Sequence, residues 1–227
     1  MTDEAAKHSD SDSSLNVSVD RRRFIARSAQ AAGAVGLVGF LLGSYGEQAR
    51  SHPVSAIRPP GAIDEDAFLG ACVRCGLCVR DCPFDTLRLA EFGESLATGT
   101  PYFVAREIPC EMCEDIPCIA ACPTDALSKE LTNIRDADMG VAVVTGLDTC
   151  YSITGAANCR ACYFACPIKD DAITMELKQE GGRVYFVPTV HRDQCTGCGM
   201  CEKDCIYPEA AIKVLPRALV KEDIGVA

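Results

Sequence analysis

Residues 72–83 read Cys72-Val73-Arg74-Cys75-Gly76-Leu77-Cys78-Val79-Arg80-Asp81-Cys82-Pro83, a Cys-x2-Cys-x2-Cys-x3-Cys-Pro run. The same grammar returns three times. Cys110-x2-Cys113-x4-Cys118-x3-Cys122-Pro123 is the second group, and Cys150-x8-Cys159-x2-Cys162-x3-Cys166-Pro167 is the third. Cys195-x2-Cys198-x2-Cys201-x3-Cys205 is the fourth, with its proline displaced to Pro208. These groups use all 16 cysteines of the 227-residue chain. Their last cysteines step by 40, 44 and 39 residues, and an apolar residue recurs after each: Leu87, Leu127, Ile173 and Ile212. The chain is a fourfold repeat.

Cysteines at i, i+3 and i+6 on a tight loop turn three thiolates onto one face of an iron–sulfur cluster, while a fourth, after three more residues, serves a different cluster. The fourth cysteine is expected at the start of a helical turn, with the proline inside the first turn, where its missing N–H costs nothing. Four groups of four supply the ligands of four [4Fe–4S] clusters with none left over. Disulfides, suggested by the even count, do not require groups of four with a shared grammar. Zinc usually takes two Cys-x2-Cys pairs a dozen or more residues apart, and three cysteines within seven residues crowd one tetrahedral ion. The longer spacings before Cys118 and Cys159 leave three-iron or altered clusters open at the second and third groups. Pairing is also open: first with second and third with fourth, or first with fourth and second with third.

Outside the cysteines the chain is 48% apolar with mean hydropathy +0.08, but it has no tryptophan and only 6% aromatic residues. The side chains that usually dominate a core are scarce, so cluster ligation is expected to replace part of it. Strands are expected at Gly140–Val144, at Ile173–Leu177 and at 181–187, with Gly181-Gly182 as a hairpin turn. Short strands and helices of one to three turns around the clusters give an α+β class built from two ferredoxin-like modules. The formal net charge is −10, and residues 1–50 balance six basic against six acidic residues, so the remainder carries all of it. An acidic surface excludes nucleic acid as a partner. Each [4Fe–4S]²⁺ centre with four thiolates deepens that charge, which suits a carrier steered to basic docking patches.

The first 46 residues read as an address. A polar, Ser/Asp-rich stretch precedes Arg21-Arg22-Arg23-Phe24, and an Ala/Gly/Leu/Val run follows from Ala29 to about Gly43. Arg21 and Arg22 before a weakly hydrophobic segment resemble a twin-arginine export signal, which implies export of the folded protein with its cofactors already inserted. The apolar run is shorter than the ~20 residues of a stable anchor. Ser44-Tyr45-Gly46 is the nearest small-x-small cleavage candidate, and an uncleaved N-terminus acting as a membrane tether stays open. Residues 47–62, with Pro53, Pro59 and Pro60, read as an extended linker, and 63–227 as the polyferredoxin region.

Several stretches carry a family likeness, and two of them, residues 99–103 and 111–118, are more specific than the cysteine spacing. Arg58-Pro59-Pro60-Gly61-Ala62, Gly99-Thr100-Pro101-Tyr102-Phe103, Glu111-Met112-Cys113-Glu114-Asp115-Ile116-Pro117-Cys118 and Met139-Gly140-Val141-Ala142-Val143 resemble the MauM/NapG-type ferredoxin proteins. The likeness extends over about residues 20–212. It implies a periplasmic electron carrier with four [4Fe–4S] clusters, fed by a membrane-bound quinol dehydrogenase and passing electrons toward periplasmic nitrate reductase or, in a methylamine dehydrogenase system, another acceptor. The rival readings are a maturation or assembly factor and a tightly bound iron–sulfur subunit of another oxidoreductase. Related four-cluster subunits nest their cysteine groups, so the likeness favours first with fourth and second with third. No residue competes for a catalytic role: His8 and His52 lie outside the cysteine region, and His191 reads as a surface or packing residue. Tyr151, Tyr163, Phe164 and Tyr207, beside ligands, read as shields against water.

Overall fold

The computed structural model describes residues 21–50 and 56–220, which fall into two units, Met1–Gly46 and Glu47–Ala227. The polar stretch before Arg21, together with His8, His52 and Pro53, lies outside the described residues.

Helix α1 (Arg21–Arg50), whose first 26 residues fall in the first unit, begins at the arginine triplet. The helix is not limited to the apolar run between Ala29 and Gly43. Its window Phe24–Leu41 has 18 residues of mean hydropathy 1.4, none of them buried, and is long and apolar enough to cross a membrane. The expected shortfall in length is therefore corrected, because Phe24 and Ile25 extend the apolar stretch toward the arginines.

In the second unit the chain is already packed at Ala56, inside the stretch that the prolines marked as linker. Ile57 and Phe103 exchange backbone N–H···O bonds of 2.8 Å. Arg58 is 8% exposed, with its guanidinium 2.5 Å from the Glu65 carboxylate and stacked 4.7 Å from the Phe68 ring centroid. Pro59 and Pro60 are buried in an ordered strap over the core rather than in a spacer.

The elements that follow are short. They are α2 (Glu65–Ala71), α3 (Leu77–Arg80), β1 (Arg88–Leu89), β2 (Pro101–Tyr102), α4 (Pro117–Ala120) and β3 (Val141–Val144). Then come α5 (Ala161–Ala165), β4 (Ile173–Glu180), β5 (Arg183–Val190), α6 (Met200–Lys203) and β6 (Ile212–Leu215). Sheets are two-stranded and antiparallel: β1 with β2, β3 with β6, and β4 with β5. Gly181 and Gly182, at φ +58° and +78°, turn the β4–β5 hairpin as expected, since both positions need left-handed backbone.

The closing pairs divide the unit into halves. β3 precedes the third cysteine group and β6 follows the fourth, with Val141 opposite Leu215 and Val144 opposite Ile212. In the first half an isolated bridge, Ala62 to Leu127, does the same job around the first and second groups. The four recurring apolar residues, Leu87, Leu127, Ile173 and Ile212, are all buried and belong to one apolar cluster that spans both halves.

The helices sit differently from expectation. Each of α3, α4, α5 and α6 contains the third cysteine of its group, and the fourth cysteine comes at or just past its end. Pro83, Pro123 and Pro167 therefore follow a helix instead of opening one. The reason is local: proline disfavours helical backbone in the residue before it, which here is the fourth cysteine.

Candidate metal centres

The cysteines gather in four sets. Cys72, Cys75 and Cys78 line one pocket with Cys122, and Cys110, Cys113 and Cys118 line a second with Cys82. Cys150, Cys159 and Cys162 line a third with Cys205, and Cys195, Cys198 and Cys201 a fourth with Cys166. Each set takes three cysteines from one group and the last cysteine of its neighbour. The pairing is consecutive within each half, so the nested arrangement does not hold. The strand closures explain why: β3–β6 and the Ala62–Leu127 bridge each seal two successive groups together.

The two irregular spacings are absorbed without loss of a member. Between Cys113 and Cys118 the chain makes a turn, Ile116 N–H donating to the Cys113 carbonyl at 3.3 Å, and Glu114 and Asp115 project into solvent. The eight residues after Cys150 coil into successive turns, with Thr154 N–H on the Cys150 carbonyl and the Ser152 hydroxyl donating to the Cys159 carbonyl. That coil returns the chain to Cys159.

A second repeat lies in the backbone. The residue before the second cysteine is left-handed in three groups: Arg74 (φ +56°), Met112 (+55°) and Gly197 (+75°). So is the residue two before the third cysteine: Gly76 (+72°), Ile116 (+41°) and Gly199 (+92°). The latter three are the residues from which α3, α4 and α6 start. Left-handed backbone costs a side-chain-bearing residue roughly 1–2 kcal/mol, and strain of this kind persists where surroundings hold it. Here it turns successive thiols to one side. Sequence reading missed these positions, although the glycines of Cys75-Gly76-Leu77-Cys78 and Cys198-Gly199-Met200-Cys201 signalled them.

All sixteen thiols are unpaired, and none forms a disulfide. Burial pushes the thiols of Cys110, Cys118, Cys162 and Cys198 up to about 12 and Cys78 to about 11; neighbouring cysteines push the same way. Cys201 is raised too, by burial first and then by Cys198 and Cys195. Backbone hydrogen bonds to sulfur act in the opposite direction, from Met112 at Cys110, Ile119 at Cys118, Tyr163 at Cys162 and Met200 at Cys198. Ala142 N–H also donates to Cys195 Sγ, and Ala211 N–H to Cys205 Sγ, both at 3.4 Å. Clustered buried thiols stay neutral by themselves, whereas a polycation displaces their protons and gains from the N–H groups aimed at sulfur. Among the described residues no three His, Cys, Asp or Glu side chains close on a single-ion position. Four soft donors lining a mostly apolar pocket, with no three of them closing on a single-ion position, fit an iron–sulfur cluster and not one tetrahedral zinc ion.

Tyr151 and Tyr207 line the third pocket, with ring centroids 5.8 Å apart at 74°. Phe164 lines none of the four cysteine pockets; it is 62% exposed, beneath the Arg160 guanidinium, and Tyr163 directs its hydroxyl to Asp170 at 2.6 Å. His191 meets Thr174 at 2.8 Å and is exposed. Arg21 and Arg22 open α1.

A family model described as a 4Fe-4S dicluster domain matches the chain twice, over residues 71–126 and 157–208. The first match holds the first two cysteine groups; the second holds the other two except Cys150, which the structure nonetheless places in the third set. A methylamine utilization ferredoxin-type protein MauM of Methylorubrum extorquens is 55% identical over 202 residues, 89% of this chain and 91% of that protein. The ferredoxin-type protein NapG of Escherichia coli is 51% identical over 208 residues, 90% and 89% of the two chains. A MauM protein of Paracoccus denitrificans is 51% identical over 201 residues, 88% and 89%.

Proposed function

The chain belongs to the MauM/NapG family of ferredoxin-type iron–sulfur electron-transfer proteins, and from that premise we propose that it is a periplasmic carrier with four [4Fe–4S] clusters, reduced by a membrane quinol dehydrogenase and oxidised by nitrate reductase. The observation that supports this most is the equivalence of the four cysteine sets, each complete and each built three-plus-one.

Cys72, Cys75, Cys78 and Cys122 would hold the first cluster, and Cys82, Cys110, Cys113 and Cys118 the second. Cys150, Cys159, Cys162 and Cys205 would hold the third, and Cys166, Cys195, Cys198 and Cys201 the fourth. When bound, each cluster supplies reversible one-electron redox chemistry at a potential set by hydrogen bonds to sulfur and by exposure. The chain's own residues fix those two quantities. Backbone N–H groups at Met112, Ile119, Tyr163 and Met200 support the thiolates. Phe68, Phe103 and Ile212 exclude water from the first, second and third pockets. Exposed Glu111, Glu114 and Asp115 rim the second set beside Cys113 and suit docking to a basic partner surface.

Export follows the twin-arginine reading of Arg21 and Arg22, and α1 is long enough to tether the protein if it is retained. The MauM relatives, named for methylamine utilization, suggest a methylamine-oxidising system as a second terminal acceptor alongside nitrate reductase. Reductive titration followed by electron paramagnetic resonance tests the carrier role. The expected result is stepwise, reversible reduction of all clusters by a quinol-linked donor. Clusters inert at every physiological potential would support an assembly factor instead.

A further inference from the structure

The two halves touch beside cysteines of the second and fourth sets. Cys110 N–H donates to the Cys198 carbonyl at 2.9 Å, and Thr196 Oγ1 donates to Met112 Sδ at 3.4 Å. Beside them Gly199 faces Ala105 so closely that a Cβ there would stand 2.5 Å from the alanine methyl. Arg106 holds the halves together, its guanidinium donating to the carbonyls of Glu202, Lys203, Cys205 and Tyr207 at 2.6–2.9 Å. Cys110 belongs to the second set and Cys198 to the fourth.

Within each half, the adjacent helices set the neighbours. α3 packs on α4, bringing Cys78 of the first set against the second, and α5 packs on α6, bringing Cys162 of the third set against Cys201 of the fourth. Each of the first, second and fourth sets has a buried cysteine, Cys78, Cys118 and the pair Cys198 and Cys201, whereas all four of the third set are half-buried. Cys198 and Cys201 of the fourth set are 8% and 9% exposed, and Thr196 is 3%. At the other extreme, Cys75 of the first set is the one exposed cysteine, and Tyr151 and Ile206 at the third pocket are 40% and 61% exposed.

We propose that the Cys110–Cys198 contact, supported by Met112 and Thr196, is the crossing point between the halves. It orders the four sets in space as first, second, fourth, third and leaves the first and third as the ends where partners exchange electrons. The last group in sequence is thus an interior relay. The inference rests on the carrier reading, and Met112, Thr196 and Arg106 are positioning residues for it.

The test uses the whole holoprotein. Electron paramagnetic resonance of the fully reduced protein reads magnetic coupling between neighbouring centres in wild type, Cys159→Ala and Cys195→Ala. Loss of the fourth centre in Cys195→Ala is expected to leave the third uncoupled, with first and second still split; Cys159→Ala is expected to keep the other three coupled. The reverse pattern overturns the order. Because a lost ligand can unseat the neighbouring centre, iron positions from anomalous scattering in wild-type crystals give the order independently. The shortest separation across the halves is expected between the second and fourth sets, and any other shortest pair overturns the proposal. Four reversibly reducible centres in another order would reject this order alone, whereas centres that cannot be reduced would reject the carrier reading.

Discussion

Gly197 and Arg74 occupy the same place in the repeat, each just before the second cysteine and each left-handed, yet they bear opposite consequences. A Cβ on Gly197 would stand 2.5 Å from the Gly140 nitrogen and 2.6 Å from its carbonyl atoms, backbone that cannot swing aside. Gly197→Ala is expected to cost about 1–3 kcal/mol from the strained backbone alone and to lower the thermal midpoint of the holoprotein with part of its iron lost. Arg74 is exposed and already carries its strain. Arg74→Gly relieves roughly 1–2 kcal/mol of left-handed cost against about 0.5–1 kcal/mol of extra chain entropy, so its midpoint should hold or rise slightly. A fall in Arg74→Gly as large as that in Gly197→Ala would show that the side chain, not the backbone, matters at this position.

Helices of four to seven residues cannot stand in water alone, since nucleation costs more than so few hydrogen bonds return. In α3 to α6 packing offsets that cost, α3 against α4 and α5 against α6, within the halves whose strand closures decide which group serves which centre. If pairing is consecutive, Cys122→Ser should remove about a quarter of the iron and give the same residual spectrum as Cys75→Ser. Cys82→Ser should match Cys113→Ser instead. A Cys122→Ser spectrum matching Cys113→Ser would return the fourth cysteine to its own group. The sequence made the groups, the hairpin at Gly181-Gly182 and the buried Leu87, Leu127, Ile173 and Ile212 legible, because spacing and hydropathy are local. Pairing was not legible, because it depends on β3 meeting β6 across some seventy residues. The helix positions were misjudged for a simpler reason: Pro83, Pro123 and Pro167 fit either end of a helix by composition, and only the backbone shows that they follow it.

At the scale of the whole molecule, a chain without tryptophan still builds one apolar cluster through both halves, with cysteines packed against it throughout. The prolines near Arg58 belong to that body and not to a spacer, which composition alone hid because buried contacts such as Ile57 with Phe103 are long-range. Export is argued at this scale too. Arg21→Lys with Arg22→Lys should leave the loaded protein in the cytoplasm, as read by fractionation; normal export of the double variant would remove the twin-arginine reading. The central claim, four complete clusters in one chain, is tested most directly by counting iron and acid-labile sulfide in the anaerobically purified protein. The account predicts about sixteen of each per chain. About eight, with half of the thiols titrating as free, would contradict it.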